Sequence, residues 1–185
     1  MAGFPSIVAD EQHAGYIATK HLLSLGHRRI GCIVLGGDST SSVSRAEGYR
    51  SALLEAGILP RKEWIVESEY GYAAGEMAAH TFLKRSKPPT AVVAHNDLMA
   101  IGAMKAFGDA GLKIPNDVSV VGFDDIAAAS YVQPGLTTIA YPKRQMGEEA
   151  VEILLSLLGP KEKITPATRK LTVSLVVRES TAPPA

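Results

Sequence analysis

The sequence has a single cysteine, no excess of charge and no long apolar run, and each lack removes a class of function. With one cysteine in 185 residues, no intrachain disulfide can form. Cys32 lies inside an apolar run, where it reads as a small buried core residue, and a reducing, cytoplasmic setting fits. The 19 Lys+Arg balance 19 Asp+Glu, so the formal charge favours neither nucleic acid nor an anionic membrane as a partner of this chain. There is no basic-then-apolar leader and no apolar stretch of bilayer length, which indicates neither secretion nor a membrane anchor. Nor is there a His-x-x-x-His or Cys-x-x-Cys pair for a metal, or a Gly-x-Ser-x-Gly elbow for a hydrolase nucleophile.

What is present is the material of a soluble core, 46% hydrophobic and 21% charged, arranged as strand and helix in steady alternation. The central stretch is Val118-Ser-Val-Val-Gly-Phe-Asp-Asp125, a β-branched run ending in two acids. Such a run reads as a strand buried on both faces of a parallel sheet. Ile30-Gly-Cys-Ile-Val-Leu35 and Thr90-Ala-Val-Val-Ala94 read the same way. Earlier, Ser6-Ile-Val-Ala9 forms a strand, and Asp10 caps a helix that Gly26 stops. With so little chain before it, that first strand is expected to lack neighbours. His27 reads as a surface or capping group, and the alternating segment 170–177 as an edge strand. The class is α/β with a mostly parallel, Rossmann-like sheet and helices on both faces.

In open sheets of this kind ligands bind outside the carboxyl ends of the strands, and four of those ends collect polar groups. The loop after Leu35 carries hydroxyls from Ser39 to Ser44, then Arg45. It has no Gly-Lys-Ser/Thr ending and so does not read as a phosphate loop. A cation in the first turn of a helix opposes the dipole, which suggests another task for Arg45, such as forking onto ligand hydroxyls. Tyr72 stands after the third strand, either stacking on a ligand or lidding the core. Of Asn96 and Asp97, one caps the next helix and the other faces the ligand. Asp124 and Asp125 complete the set, open to metal, catalysis or binding. Hydroxyls, an amide, carboxylates, an arginine and an aromatic suit a polyhydroxylated ligand, and no catalytic pair accompanies them. The reading is therefore a binder, not an enzyme.

These residues match a known family. The stretches Gly15-Tyr-Ile-Ala-Thr-Lys-His-Leu-Leu-Ser-Leu-Gly-His-Arg-Arg-Ile-Gly31, Ser44-Arg-Ala-Glu-Gly-Tyr49, Ala94-His-Asn-Asp97, Gly122-Phe-Asp-Asp125, Leu136-Thr-Thr-Ile139 and Val177-Arg-Glu-Ser180 run in order over nearly the whole chain. The sequence resembles the effector-binding domain of LacI/GalR-type transcriptional regulators, and sugar-binding proteins of the periplasmic type share that fold. The resemblance implies two Rossmann-like lobes clamping a sugar-like effector, with no cofactor and no metal. It also implies a homodimer and DNA contact only through a helix-turn-helix absent from this sequence. It makes Arg45, Asp124, Asn96, Tyr72 and, less directly, Ser41 the effector ligands, with Asp125 structural, capping the turn at Ile126. By the family layout, residues 29–141 and 168–180 form the C-terminal lobe, 1–28 and 142–167 are remnants of the N-terminal lobe, and 181–185 is a disordered tail. With half of the clamp missing, weak effector affinity is expected.

Overall fold

Alternate side chains of one strand point into two different apolar layers, and this organises the molecule. In the computed structural model, which describes residues 4–37, 39–158 and 167–185, a six-stranded sheet is built from β2 (Ile30–Leu35), β3 (Ile65–Ser68), β4 (Ala91–Ala94), β5 (Ser119–Phe123), β6 (Thr137–Ala140) and β8 (Ser174–Val176). The spatial order is β3-β2-β4-β5-β6-β8, all parallel except the antiparallel β6–β8 pair. In β4, Val92 and Ala94 enter one core cluster while Ala91 and Val93 enter the other. Both faces are therefore dry, as a parallel sheet requires.

The helices supply the covering layers. On one face lie α3 (Tyr72–Leu83) and α4 (Asp97–Asp109), which contribute Phe82, Met99 and Phe107. On the other lie α1 (Glu11–Ser24) and α2 (Thr40–Glu55), which contribute Leu22, Tyr49 and Leu53. Each large apolar side chain buried in this way stabilises the fold by roughly 1.5–3 kcal/mol. Tyr49 satisfies its polar end by donating its hydroxyl to Ile30 O at 2.7 Å. α1 and α2 approach closely because Gly15 and Gly48 sit at their crossing. A Cβ on Gly15 would fall 2.1 Å from Arg45 O, and one on Gly48 would fall 2.0 Å from Gln12 O. This crossing fixes the start of α1 against the middle of α2.

A second, two-stranded parallel sheet pairs β1 (Ser6–Ala9) with β7 (Thr168–Leu171). Beside it lies α6 (Lys143–Leu158), none of whose residues is buried; Pro5, Ile7, Met146 and Ile153 line a shallow cavity between them. Val151, Leu154, Leu155, Leu157 and Leu158 are exposed. A short α5 (Ala127–Tyr131) bridges β5 to β6.

The packing places several segments differently from their local sequence reading. In α1, expected with the N-terminal lobe, Ala14, Ala18 and Leu22 are buried in the core cluster that includes Ile30, Val93 and Val121 of the six-stranded sheet. The edge strand expected over 170–177 is two strands. β7 pairs with β1 and β8 with β6, so the chain passes from the small sheet to the large one at Thr172–Val173. His27 is buried, not superficial, with Nε2 2.8 Å from Ala182 O and Nδ1 3.0 Å from Thr90 Oγ1. The segment 181–185, expected to be disordered, is docked. Ala182 N donates to Ser119 Oγ at 3.1 Å, and Thr181 Oγ1 lies 2.9 Å from His21 Nε2. Just before it, the buried Ser180 donates to Val120 O at 2.6 Å and accepts from Thr137 N at 2.8 Å, joining β5 to β6.

Candidate functional site

Numbered from its own first strand, the large sheet has the order 2-1-3-4-5-6, a doubly wound arrangement whose strand order reverses between β2 and β4. Ligands of such sheets bind outside the carboxyl ends near that reversal. There the structure has a cavity of about 640 Å³, with walls from both sheets. Thr40, Ser41, Ser44, Arg45 and Asp124 come from the large sheet's loops and α2, and Val8, Asp10 and Lys170 from the small sheet and its end.

Arg45 is the best-held group in this cavity. Its Nε donates to Glu11 Oε2 at 2.7 Å, and its NH1 donates to the carbonyl of His95. The guanidinium carbon lies 4.8 Å from the Phe123 ring centroid and 5.7 Å from that of Tyr141. Face contacts of this kind add roughly 0.5–2 kcal/mol each. Tyr141 also donates its hydroxyl to the same Glu11 oxygen at 3.0 Å. Arg45 is thus fixed by two rings, a carboxylate and a backbone carbonyl, and its remaining N–H groups have no partner among the described residues. It falls in the second turn of α2, not the first, so the helix dipole does not explain its placement. The contacts do.

Opposite stands the corner Asp124-Asp125. Both residues have positive φ, 105° and 46°, unusual for side chains with a Cβ and typical of sites where the surroundings over-determine the backbone. Lys143 Nζ holds the corner by donating to the carbonyls of Asp124 and Asp125. The Asp124 carboxyl is raised above the usual carboxylate range by burial, with Arg45 and Lys143 pulling the other way. Asp125 turns away and pairs with Arg178 NH2 at 2.6 Å. It does not cap Ile126, whose amide donates instead to Asp97 Oδ2 at 2.9 Å. The charged groups lining the cavity are Asp10, Glu11, Asp124, Arg45, Lys143 and Lys170, an even balance suited to a neutral polar ligand.

Three of the residues expected from sequence meet here: Arg45, Asp124 and Ser41. Ser41 Oγ lies 3.0 Å from Ser39 Oγ. Asn96 is placed otherwise: it is buried, its Oδ1 accepts from Met99 N at 2.9 Å to cap α4, and it does not line the cavity. Asp97 does not line the cavity either. It is buried and accepts from Thr138 Oγ1 at 2.5 Å, and its carboxyl is pushed up to about 6, chiefly by burial. Tyr72 opens α3, half exposed and away from the cavity. Glu11, Tyr141 and Lys143 were not anticipated. Tyr141 alone carried a signal, as an aromatic directly after a strand. Among the described residues, no three His, Cys, Asp or Glu side chains converge as a metal would require.

Comparison with known proteins agrees with this architecture. A family model described as "Periplasmic binding protein-like domain" matches residues 19–181. The ribose operon repressor of Haemophilus influenzae is 40% identical over 175 residues, covering 94% of this chain and 52% of that protein. An HTH-type transcriptional repressor PurR of Photobacterium profundum is 35% identical, covering 92% and 51%. The chain thus spans about half the length of the curated relatives it matches. A LacI-family regulator from Enterococcus faecium, solved with bound ribose, superposes with a TM-score of 0.85 at 32% identity, covering 97% of this chain and 66% of that one. A sugar-binding LacI-family regulator from Escherichia coli, complexed with phosphate, gives 0.88 at 34%, covering 97% and 64%. The chain belongs to the periplasmic-binding-protein-like domain family and corresponds to the effector-binding region of LacI-type transcriptional regulators.

Proposed function

We propose that the cavity between the two sheets takes a small, neutral, polyhydroxylated effector of the sugar class, gripped by Arg45 and Asp124. The observation that carries this reading is the pairing of opposites across the cavity. The donors of Arg45 are held rigid by Glu11, Phe123 and Tyr141. The Asp124 carboxylate, beside Arg45 and Lys143 and without a hydrogen-bond donor among the described residues, supplies acceptors. A sugar hydroxyl both donates and accepts, so vicinal hydroxyls can satisfy both partners at once. Ser41 and Ser44 add neutral hydrogen-bonding groups at the rim.

Binding rather than turnover is the role inferred here. The Ser41 hydroxyl lies against another hydroxyl, not a base, and the relatives are named as repressors. The proposed context is a cytoplasmic regulator that represses transcription, whose DNA contacts belong to a helix-turn-helix segment of the longer protein. Its proposed assembly is a homodimer, supported by exposed apolar side chains along α3 and α5, notably Met77 and Tyr131. Lobe membership is proposed by packing: β2 to β6 with α1 to α5 and β8 in one lobe, β1, β7 and α6 in the other.

The test is a titration of this chain with ribose, cellobiose and hypoxanthine, read by amide chemical shifts at millimolar ligand. Shifts clustered at Arg45, Asp124 and Tyr141 with a sugar, lost on Arg45→Ala, are expected. A response to hypoxanthine alone would overturn the sugar class. Shifts clustered elsewhere would overturn the site.

A further inference from the structure

The opposite end of the large sheet holds a second cavity, about 370 Å³, lined by Arg28, Arg29, Arg61 and Lys87 and by no acidic residue. Its apolar wall includes Leu53, Ile58 and the half-buried Trp64. The cations come from the three loops that lead into β2, β3 and β4. Residues 26–29, 56–64 and 84–90 carry seven Lys or Arg and one acid, Glu63, in a chain whose formal charge is zero. The excess is therefore a local feature of this end of the molecule and not a property of the whole chain.

Little inside the protein offsets that charge. Glu63 lies 3.8 Å from Arg61 with both side chains about half exposed or more, a contact too long and too solvated to neutralise it. Arg29 Nε donates to Pro88 O at 3.3 Å and Arg28 NH2 to Ala56 O at 3.5 Å. These backbone carbonyls orient the guanidinium groups without cancelling their charge. In the loop that supplies Lys87, the buried Nε of Arg85 has no hydrogen-bond partner among the described residues.

We propose that this cavity is a second ligand site, distinct from the effector cavity, for a small phosphorylated molecule with a planar body, of the nucleoside monophosphate class. Three arginines and a lysine around one concavity exceed what a single carboxylate balances, and they match the charge and fork geometry of a phosphate dianion. The indole and aliphatic wall gives the uncharged part a face on which to stack. The volume is at the lower end of the roughly 300–1,000 Å³ range of small-molecule pockets. That points to a compact ligand seated in the hollow, not to a polymer lying across a flat face.

Trp64 is the sole tryptophan of the chain, so its fluorescence reports on this site without a label. AMP is expected to change the emission saturably at submillimolar concentration, with adenosine and inorganic phosphate each at least about tenfold weaker. Arg29→Ala and Arg61→Ala, both at exposed positions, are each expected to weaken AMP by about tenfold with an unchanged circular dichroism spectrum. Ribose is expected to leave the emission unchanged. Equal binding of adenosine would overturn the role of the cations, and equal binding of phosphate that of the aromatic wall. A single-stranded oligonucleotide binding far more tightly than AMP, with a steep salt dependence, would show a polymer surface and overturn the small-ligand assignment. No emission change with AMP at millimolar concentration would overturn it outright.

Discussion

Arg45 and Tyr141, ninety-six positions apart in the chain, donate to one and the same oxygen of Glu11, at 2.7 and 3.0 Å. Glu11 is thus the anchor that aims the arginine. Its side chain is 25% exposed and that of Arg45 11%, so the pair is largely shielded from water and removing one partner leaves a poorly solvated charge.

Glu11→Gln is therefore expected to lower unfolding free energy by about 1–2 kcal/mol, since the amide keeps a hydrogen bond but not the charge. Urea denaturation measures it. Arg45→Ala is expected to cost the same or more and to remove ligand binding as well. If Glu11→Gln leaves both stability and ligand shifts unchanged, the anchoring role is wrong.

The crossing of α1 and α2 supports the same contact from behind. Gly48→Ala would place a methyl 2.0 Å from Gln12 O and 2.6 Å from Tyr16 N, backbone atoms that cannot swing aside. The expected loss is about 3 kcal/mol, the upper part of the overpacking range. Because α1 must then lift, ligand affinity falls with it. An alanine variant with wild-type midpoint and affinity would refute this.

The pH dependence of stability contains two opposed contributions. His95 is pushed down to about 4 by burial and by the Arg45 charge. Its contribution is fully present above its unfolded value near 6.5 and is lost as pH falls from there toward 4. Asp97, pushed up to about 6, acts in reverse. Its folded form holds the proton more tightly than the unfolded form, so stability is gained as pH falls through 6 toward 4. Each effect is on the order of 2 kcal/mol. Asp97→Asn should therefore lose stability more steeply than wild type on acidification from pH 7 to 4, and His95→Gln less steeply. Chemical denaturation at a series of pH values checks both signs. Parallel profiles for all three proteins would refute the assignment.

The exposed leucines of α6 make a prediction that separates stability from association. Leu154 and Leu155 are both exposed, so replacing both by serine should change unfolding free energy by no more than about 0.5 kcal/mol, as for other surface sites. Binding of a hydrophobic dye should fall, because contiguous exposed apolar surface is what such dyes report. Sedimentation of wild type as a monomer that binds no dye would show that this face is not available.

The parallel sheet was legible because strands dry on both faces must be near-continuous runs of Val, Ile and Ala, and no helix of ordinary spacing looks the same. That Arg45, Asp124 and Ser41 would share one cavity was legible because all three follow the carboxyl ends of strands in the same sheet. Asn96 was not, because capping a helix and holding a ligand call on the same side-chain chemistry, and only the fold decides between Met99 N and the cavity. Glu11 escaped notice because its partners lie 34 and 130 positions away. The terminal segment looked unstructured by its Ser, Thr and Pro content, yet its order comes from His27 and Ser119, donors and acceptors far upstream. The split of β7 from β8 escaped for a related reason, since alternation tells how a strand is faced but not which sheet receives it.

The chain passes between the two sheets at three places: from β1 into α1 at Asp10, from β6 toward α6 at Tyr141–Pro142, and from β7 into β8 at Thr172–Val173. Two of the three contribute directly to the cavity wall, through Asp10 and Tyr141, and Lys170 stands just before the third. Mechanically this is a triple strap, and a single flexible tether would leave the two parts far freer. Anything lodged between Arg45 and Asp124 therefore shares its cavity with two of the three links, at Asp10 and Tyr141.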